Sequence, residues 1–373
     1  MSDTEIKDHK VKVWDLPTRL FHWSLVSLVV IGLMTGFLSP EWWMGVHLWA
    51  GYGTVLLVIF RLVWGIFGSE YSRLETFTFT PAEVLAHIRE VFFLRPTHYI
   101  GHNPAGALMI FALIFILAGI TLSGLLVLGG EESQGPLAGA ANYQVGDMAA
   151  GIHGALTIVL MALVVFHIFG VFTEIRLSGE NLIKSMIDGY KRVPDNVKPP
   201  THRDARPLAA ITAMAGFAMI AGSLLWAFST MPPSGLLKMA ENEDFQTECG
   251  DCHEVYHPSL LPRASWTGMM ASLDDHFGED ASLRPKTAIA ITAYLSAHAA
   301  EEWDTEASNR FRVVSPAAPN QISATPYWVR KHDDIAPDVF KRKGVGGKSH
   351  CKSCHQDAAS GRFDDQNIKI PKQ

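Results

Sequence analysis

The chain has 373 residues, a length that allows two or three domains. It is 48% hydrophobic and only 18% charged, and its mean hydropathy is positive, which is unusual for a water-soluble protein. The formal net charge of −6 argues against a nucleic-acid-binding protein, so we expect no nucleic-acid partner.

Five apolar segments occur before residue 230, each long enough to cross a bilayer by the rule of about 20 apolar residues. They are predicted at about residues 20–38, 44–67, 105–128, 152–175 and 208–228. After a Pro-Pro pair at residues 232–233 the sequence becomes mixed and polar, with no further span. We therefore predict an all-α chain with a four-helix membrane domain over 1–206, a fifth transmembrane helix over 207–231 and a soluble domain over 232–373.

The distribution of Lys and Arg predicts the orientation of these spans. The N-terminal tail and the connections after spans two and four hold fifteen Lys and Arg residues, whereas the other two connections hold none. Since basic residues stay on the cytoplasmic side, we predict a multi-pass protein of the bacterial inner membrane with a cytoplasmic N-terminus and a periplasmic C-terminal domain. The start lacks a short apolar core with a cleavage site, so the first span is predicted to be an uncleaved anchor.

Two short helices are predicted on the cytoplasmic side. Thr80, Pro81 and Glu83 are typical of a helix N-terminus, and they predict a helix that continues to about residue 93. The stretch NLIKSMIDGYKR predicts a second short helix over residues 181–192, lying at the membrane surface.

Four histidines fall inside the predicted spans, where ionisable side chains are costly and usually functional. His22 and His167 lie near the inner ends of spans one and four, and His47 and His153 lie near the outer ends of spans two and four. His153 and His167 are separated by about 21 Å of helix and by roughly 40° around it. Antiparallel packing therefore predicts two histidine pairs, His22 with His167 and His47 with His153, as two stacked bis-histidine b haems require. The alternative is a set of histidines that only hydrogen-bond between helices.

Three further residues near the spans have two interpretations each. Arg61 lies on the same side of its helix as His47, and it either neutralises a haem propionate or anchors the inner end of the span. His98 and His102, just before the third span, either belong to a quinone site or are ordinary surface histidines, and we expect the latter.

Several stretches of the membrane domain resemble the prokaryotic cytochrome b561 family, which includes the b-type subunits of nickel-iron hydrogenases. The resemblance covers about residues 11–192, and its stretches are VWDLPTRLFHW, GVHLWAGYG, HNPAGALM, HGALTIVLMALVVFHIFGV and GENLIKSMIDGYKR. It implies a four-helix bundle with two b haems, the ligand pairs given above, and exchange with the membrane quinone pool. Related bundles often dimerise, so a homodimer is a candidate assembly. The fifth span is shared with only some members of the family.

All four cysteines lie in two CxxCH runs, ECGDCH at 248–253 and HCKSCH at 350–355. CxxCH is the signature of covalent c-type haem attachment, in which two cysteines form thioethers and the histidine binds iron. In known systems this attachment happens outside the cytoplasm, in agreement with the orientation predicted from Lys and Arg. The sequence therefore predicts two c haems, held by Cys249, Cys252 and His253 and by Cys351, Cys354 and His355.

The second axial ligand of each c haem has several candidates. Two methionines lie between the motifs, both close to the first, and histidines are more plentiful. The candidates are Met269, Met270, His257, His276, His298, His332 and His350.

The soluble domain resembles the dihaem cytochrome c family over about residues 241–371, through LLPRASW, DDHFGEDASL, ISATPYWVRKHDDI and GRFDDQNIKIP. The resemblance implies a mainly α-helical domain of two lobes, each with one bis-histidine haem. His276 and His332 lie in the shared stretches, and we predict them as the distal ligands, with His298 or His350 as the alternatives. Bis-histidine iron has a lower potential than His/Met iron and no open site, so catalysis on small molecules at these irons is not expected.

The two predicted lobes carry opposite charge. Residues 241–306 hold 14 acidic and 3 basic residues, whereas residues 307–373 hold 12 basic and 6 acidic residues. Either the acidic lobe attracts a basic redox partner, or the lobes attract each other, or both are solvated surface.

These predictions together indicate a membrane electron-transfer protein with two haem b, two haem c and quinol as substrate. Electrons would pass from quinol to a soluble periplasmic redox protein, and the resemblance makes a small c-type haem protein one candidate. One alternative is the reverse flow, from a periplasmic dehydrogenase or hydrogenase to quinone. Another is a haem-based sensor, which needs an open iron site and an output domain, neither of which the sequence indicates.

Overall fold

The structure is a computed structural model that describes residues 8–40, 43–94, 97, 99–194, 203–236, 239 and 241–372. These residues are predominantly helical, which confirms the all-α prediction. Their α-helices are α1 Leu16–Phe37, α2 Met44–Phe67, α3 Pro81–Phe92, α4 Pro104–Gly130, α5 Tyr143–Ser178, α6 Leu182–Asp188, α7 Pro207–Ser229, α8 Glu243–Gly250, α9 Arg263–Met270, α10 Pro285–Ala297, α11 Glu306–Phe311 and α12 Pro326–Lys331.

The chain divides into two compact units. One contains Val46–Gly124, Ala150–Leu224 and the chain up to Ser39, and the other contains Pro40–Gly45, Leu125–Ala149 and the chain from Leu225 onward. The second unit therefore includes the connections from α1 to α2 and from α4 to α5 as well as the C-terminal part. The division at residues 206 and 231 stays a prediction.

Five of the described helices, α1, α2, α4, α5 and α7, are long and apolar enough to cross a membrane, which confirms the five predicted spans. Many of their large side chains are exposed, among them Trp49 and Phe115, as expected for helices whose outer surface meets lipid. Val58, Leu117 and Leu160 form the buried centre of the first unit, so α2, α4 and α5 pack around one core.

Local chemistry explains where several helices begin. Asp15 accepts a hydrogen bond from the Thr18 amide at the start of α1, at 2.9 Å. The α3 helix has the predicted capping box, since Thr80 and Glu83 exchange side-chain to backbone hydrogen bonds. Proline occupies the first turn of α1, α3, α10 and α12, where its missing amide costs nothing.

The predicted helix over residues 181–192 is wrong in its second half. The α6 helix ends at Asp188, because Gly189 adopts the left-handed conformation with φ of 90°. The chain then continues as strand β2, Tyr190–Pro194, which pairs antiparallel with strand β1, Asp8–Lys12. A side chain at Gly189 would also lie 2.6 Å from the Trp14 carbonyl oxygen. The ribbon thus joins the chain before α1 to the chain after α6.

The C-terminal part has two hydrophobic cores, as the two-lobed prediction requires. Helices α8, α9 and α10 surround the first core, which includes Trp266 and Ile291. Helices α11 and α12 contribute to the second core, which includes Phe311 and Trp328. We call residues 243–303 the first lobe and residues 305–372 the second lobe.

Candidate haem sites

The inner histidine pair lies between α1 and α5, the first and fourth predicted spans. We call the first unit, which contains α1 and most of α5, the membrane unit. His22 on α1 and His167 on α5 have ring centroids 6.5 Å apart. The two helices are long enough to carry these side chains to one depth, as predicted from their positions in the spans. The structure thus places the two predicted inner ligands next to each other, with their ring planes tilted by 53°.

The outer pair consists of His47 on α2 and His153 on α5, with ring centroids 6.1 Å apart. The Nδ1 atom of His153 lies 2.9 Å from the Ile120 carbonyl oxygen. A carbonyl oxygen can only accept, so Nδ1 carries the proton and Nε2 keeps a free lone pair. That tautomer is the one a metal-binding histidine needs when it binds through Nε2.

A hydroxyl and a glycine support each outer histidine, and sequence reasoning missed both. Thr35 Oγ1 lies 3.0 Å from His47 Nδ1, and Ser123 Oγ lies 3.3 Å from His153 Nδ1. Both hydroxyls donate to helix carbonyls, so each oxygen can accept from a ring nitrogen. The residues that follow are glycines, and a Cβ there would lie 3.5 Å from His47 Cε1 and 3.2 Å from His153 Cε1. The available signal was a hydroxyl-glycine dipeptide near the outer end of an apolar span, present as TG at 35–36 and SG at 123–124.

Each CxxCH histidine of the second unit also faces one predicted distal ligand. His253 and His276 have ring centroids 6.1 Å apart, as have His332 and His355. His253 Nδ1 donates to the Glu254 carbonyl oxygen at 2.7 Å, and His332 Nδ1 donates to the Trp328 carbonyl oxygen at 2.8 Å. These bonds place the proton of each neutral ring on Nδ1, so the lone pair is on Nε2.

The spacing of the four pairs fits bis-histidine metal binding. A metal–imidazole bond of about 2.0 Å, followed by about 1.1 Å to the ring centre, places two rings on one metal about 6 Å apart. The four centroid separations, between 6.1 and 6.5 Å, agree with this value. The residues present therefore fit an iron held between two imidazoles at each pair.

The cysteines of both motifs are free of disulfides, as covalent attachment requires. Burial raises the pKa of the Cys249 thiol to about 11 and that of Cys351 to about 12.

The other candidates for the distal ligands make different contacts. His298 donates from Nδ1 to the Tyr294 carbonyl oxygen at 2.8 Å, and its ring centroid lies 4.6 Å from that of the Tyr294 ring. His257 is buried against Trp303, and burial lowers its pKa to about 4, which suits a structural histidine. Met269 and Met270 pack against the first-lobe core. His350 lies against two glycines that precede the second motif.

Arg61 and His102 lie in the same part of the membrane unit. Arg61 is buried, donates to the Ser72 carbonyl oxygen at 3.0 Å, and lies 5.3 Å from the Phe77 ring centre. His102 is not the surface histidine that we expected, because its ring lies between Trp14 and Phe77 at 4.6 and 4.5 Å. His98 lies outside the described residues.

Two family models match separate parts of the chain. Residues 13–189 match the family model of prokaryotic cytochrome b561, and residues 245–363 match that of dihaem cytochrome c. A probable Ni/Fe-hydrogenase B-type cytochrome subunit of Cupriavidus necator is 27% identical over 220 residues, covering 49% of this chain and 87% of that protein. The probable Ni/Fe-hydrogenase 1 B-type cytochrome subunit of Escherichia coli K12 is 26% identical, covering 48% of this chain and 89% of that protein.

Solved structures are similar to the C-terminal part. A dihaem cytochrome c from Rhodobacter sphaeroides is 37% identical, with a TM-score of 0.30, and covers 34% of this chain and 100% of its own. A dihaem cytochrome c from Shewanella baltica OS155 is 33% identical, with a TM-score of 0.29, and covers 36% of this chain and 96% of its own.

Proposed function

This chain belongs to the prokaryotic cytochrome b561 family over residues 13–189 and to the dihaem cytochrome c family over residues 245–363, and we propose the direction in which it carries electrons. It is a membrane electron-transfer protein that uses haem b and haem c. In our proposal it oxidises membrane quinol and reduces a soluble periplasmic redox protein. Electrons would pass from quinol through two b-haem sites and then two c-haem sites to that protein.

The observation that carries this proposal is the repeated histidine pair. Four pairs share one ring separation, two in the membrane unit and two in the C-terminal part. Their proposed roles are axial ligation by His22 with His167, His47 with His153, His253 with His276, and His355 with His332. When bound, haem supplies one-electron chemistry at each site, which quinol oxidation needs because it releases two electrons.

The chain's own residues orient the ligands. Backbone carbonyl oxygens hold His153, His253 and His332 in the tautomer that presents Nε2. Each iron would have both axial positions filled by protein, so the sites favour electron transfer over small-molecule catalysis. This argues against the haem-based sensor.

The location of the acceptor follows from the proposed topology. Fifteen Lys and Arg residues on one side of the spans support a cytoplasmic N-terminus and a periplasmic haem c domain in the bacterial inner membrane. Haem attachment at CxxCH outside the cytoplasm supports the same side. The stretch 241–306, with 14 acidic and 3 basic residues, suits a positively charged soluble partner, for which a small c-type haem protein is our candidate.

A second candidate function is the reverse flow. The curated relatives are described as Ni/Fe-hydrogenase B-type cytochrome subunits, which favours a periplasmic donor and quinone as the acceptor. In that case the haem c domain would be the entry point for electrons. A homodimer is proposed for either direction, as in related bundles.

Reduction by quinol tests the proposal. The protein is purified in detergent without oxygen, and its b and c haems are counted from pyridine haemochrome spectra. We expect two of each, with quinol reducing the b haems and part of the c haems, and dithionite reducing all four.

Two outcomes would contradict it. If quinol reduces no haem while added quinone reoxidises the dithionite-reduced protein, the reverse flow is the function. A preparation with c haem but no b haem would contradict the assignment of the membrane histidine pairs as b-haem ligands.

A further inference from the structure

The segments beside the two CxxCH motifs are in direct contact, although the motifs lie about a hundred residues apart. The hydroxyl of Tyr256 donates to the Ser349 carbonyl oxygen at 2.7 Å, two residues before Cys351. The Lys352 amide lies 3.4 Å from Glu254 Oε1. The residues directly after the first motif therefore meet the residues directly around the second.

Tyr256 also contacts the iron ligand of the first motif. Its ring stacks on the His253 imidazole, with centroids 5.1 Å apart and planes at 30°. The other restraint on this imidazole is the hydrogen bond from its Nδ1 to the Glu254 carbonyl oxygen at 2.7 Å. A flat ring on one face and a fixed Nδ1 bond together set the rotation of the imidazole.

Tyr256 lies at the boundary between the lobes. Val255 packs against the first-lobe core, whereas Tyr256 packs against the second-lobe core with Leu260 and Phe311. Tyr256 thus contacts the first motif with its ring and, with its hydroxyl, the residue two positions before the second motif.

We infer that Tyr256 is a positioning residue that couples the two c-haem sites and sets the rate at which an electron moves between them. This rests on the proposed function only in requiring haem at both motifs, and it holds for either direction of flow. The transfer oxidises one iron from Fe(II) to Fe(III) and reduces the other from Fe(III) to Fe(II), with no bond formed or broken.

The test compares two variants of the full-length haem-loaded protein with a matched control. Tyr256→Phe keeps the ring and removes the hydroxyl, and Tyr256→Leu removes both. Tyr294→Phe is the control, because its buried hydroxyl has no hydrogen-bond partner among the described residues and its ring contacts His298 and Phe245.

Electron paramagnetic resonance of the oxidised protein reports the orientation of the axial ligands at each c haem, and rapid freezing after substoichiometric reduction with dithionite reports exchange between them. We expect Tyr256→Phe to keep both signals and slow the exchange about fivefold, the factor that corresponds to one lost hydrogen bond. We expect Tyr256→Leu to shift one c-haem signal and leave the other unchanged. Tyr294→Phe should match the wild type.

The inference is overturned if Tyr256→Leu keeps both signals and the wild-type exchange rate. It is also overturned if both signals change equally in Tyr256→Leu and exchange is normal in Tyr256→Phe, because that pattern indicates a general structural role. Neither measurement uses quinol, so a failure here is separate from a failure of quinol oxidation.

Discussion

A backbone carbonyl beside a histidine ring determines which ring nitrogen is left to bind iron. In three of the four pairs one histidine has such a partner, at His153, His253 and His332. The carbonyl accepts a hydrogen bond from Nδ1–H, so the lone pair of the neutral ring is on Nε2. His47 reaches the same state through the Thr35 hydroxyl, which donates to Ile31 and accepts from the ring. The three backbone carbonyls and the Thr35 hydroxyl thus set the tautomer of these four proposed ligands.

Replacement of one outer histidine should remove one haem and leave the others. We expect His47→Leu to lower the ratio of b to c haem from two-to-two to one-to-two in pyridine haemochrome spectra, since His153 alone cannot supply both axial ligands. The control is His102→Gln, because His102 is also a buried histidine of the membrane unit but contacts Trp14 and Phe77 rather than another histidine. A two-to-two ratio in His47→Leu would contradict the assignment of the outer pair.

Among the helices, the start of α1 depends on a single carboxylate. Asp15 caps α1 through the Thr18 amide and also accepts hydrogen bonds from Trp64 Nε1 at 3.0 Å and from the hydroxyls of Ser69 and Ser72 at 2.7 and 3.0 Å. These groups come from the end of α2 and the turn that follows it. Burial opposes ionisation of Asp15, but the hydrogen bonds outweigh it and hold the pKa of the carboxyl below its usual value.

Loss of this charge should loosen the inner end of the membrane unit. We expect Asp15→Asn to lower the free energy of unfolding in detergent by about 1–3 kcal/mol, the range for a charged hydrogen-bonding group. Because the folded pKa is depressed, the contribution is present above the unfolded pKa of about 3.9 and is lost as the pH falls through the folded value. The difference from wild type should therefore shrink below about pH 4.

Thermal melting followed by circular dichroism measures this effect. Asp338→Asn is the control, since Asp338 is exposed and its side chain caps nothing. An equal loss in both variants, or a difference that does not depend on pH, would count against the role of Asp15.

The elements that the sequence predicted well are those determined by local pattern. Long apolar runs predicted the five spans. The spacing of His153 and His167 predicted the two histidine pairs of the membrane unit, because helical geometry relates residue number to depth and direction. The β1–β2 ribbon was missed because its strands have five residues each and pair across about 180 residues, so neither strand has a local signal. The end of α6 did have a signal, which was Gly189.

For the whole molecule, the sequence predicted two lobes of opposite charge but not the segments of the chain that these lobes contact. In the structure the second lobe contacts residues 131–147, a segment with three acidic and no basic residues. Arg310 binds Asp147 at 2.7 Å and lies over the Tyr143 ring, and Arg362 donates to the Glu132 carbonyl oxygen at 3.1 Å. Two arginines of the second lobe, Arg310 and Arg362, thus contact this segment within their own unit. The contact of Glu254 and Tyr256 with the segment around the second CxxCH motif was likewise not predicted, since it depends on tertiary packing.

The ion pair between Arg310 and Asp147 offers a test of this contact. Both side chains are partly exposed, at 37% and 48%, so the pair should contribute about 0.2–1 kcal/mol. We expect Asp147→Arg and Arg310→Asp each to raise amide hydrogen exchange in residues 131–147 by up to about fivefold, measured by mass spectrometry on the haem-loaded protein. The double variant should restore the exchange, because it rebuilds the pair with reversed charges.

Two controls separate this pair from general charge effects. Arg284→Asp reverses an exposed basic residue of the first lobe and should leave exchange in residues 131–147 unchanged. The effect of each single variant should also decrease as salt is raised from about 0.01 to 1 M, because the screening length falls from about 30 to about 3 Å. If the double variant exchanges as fast as the single variants, the two residues do not act as a pair, and the contact of the second lobe with this segment depends instead on Arg362 and its bonds to backbone carbonyls.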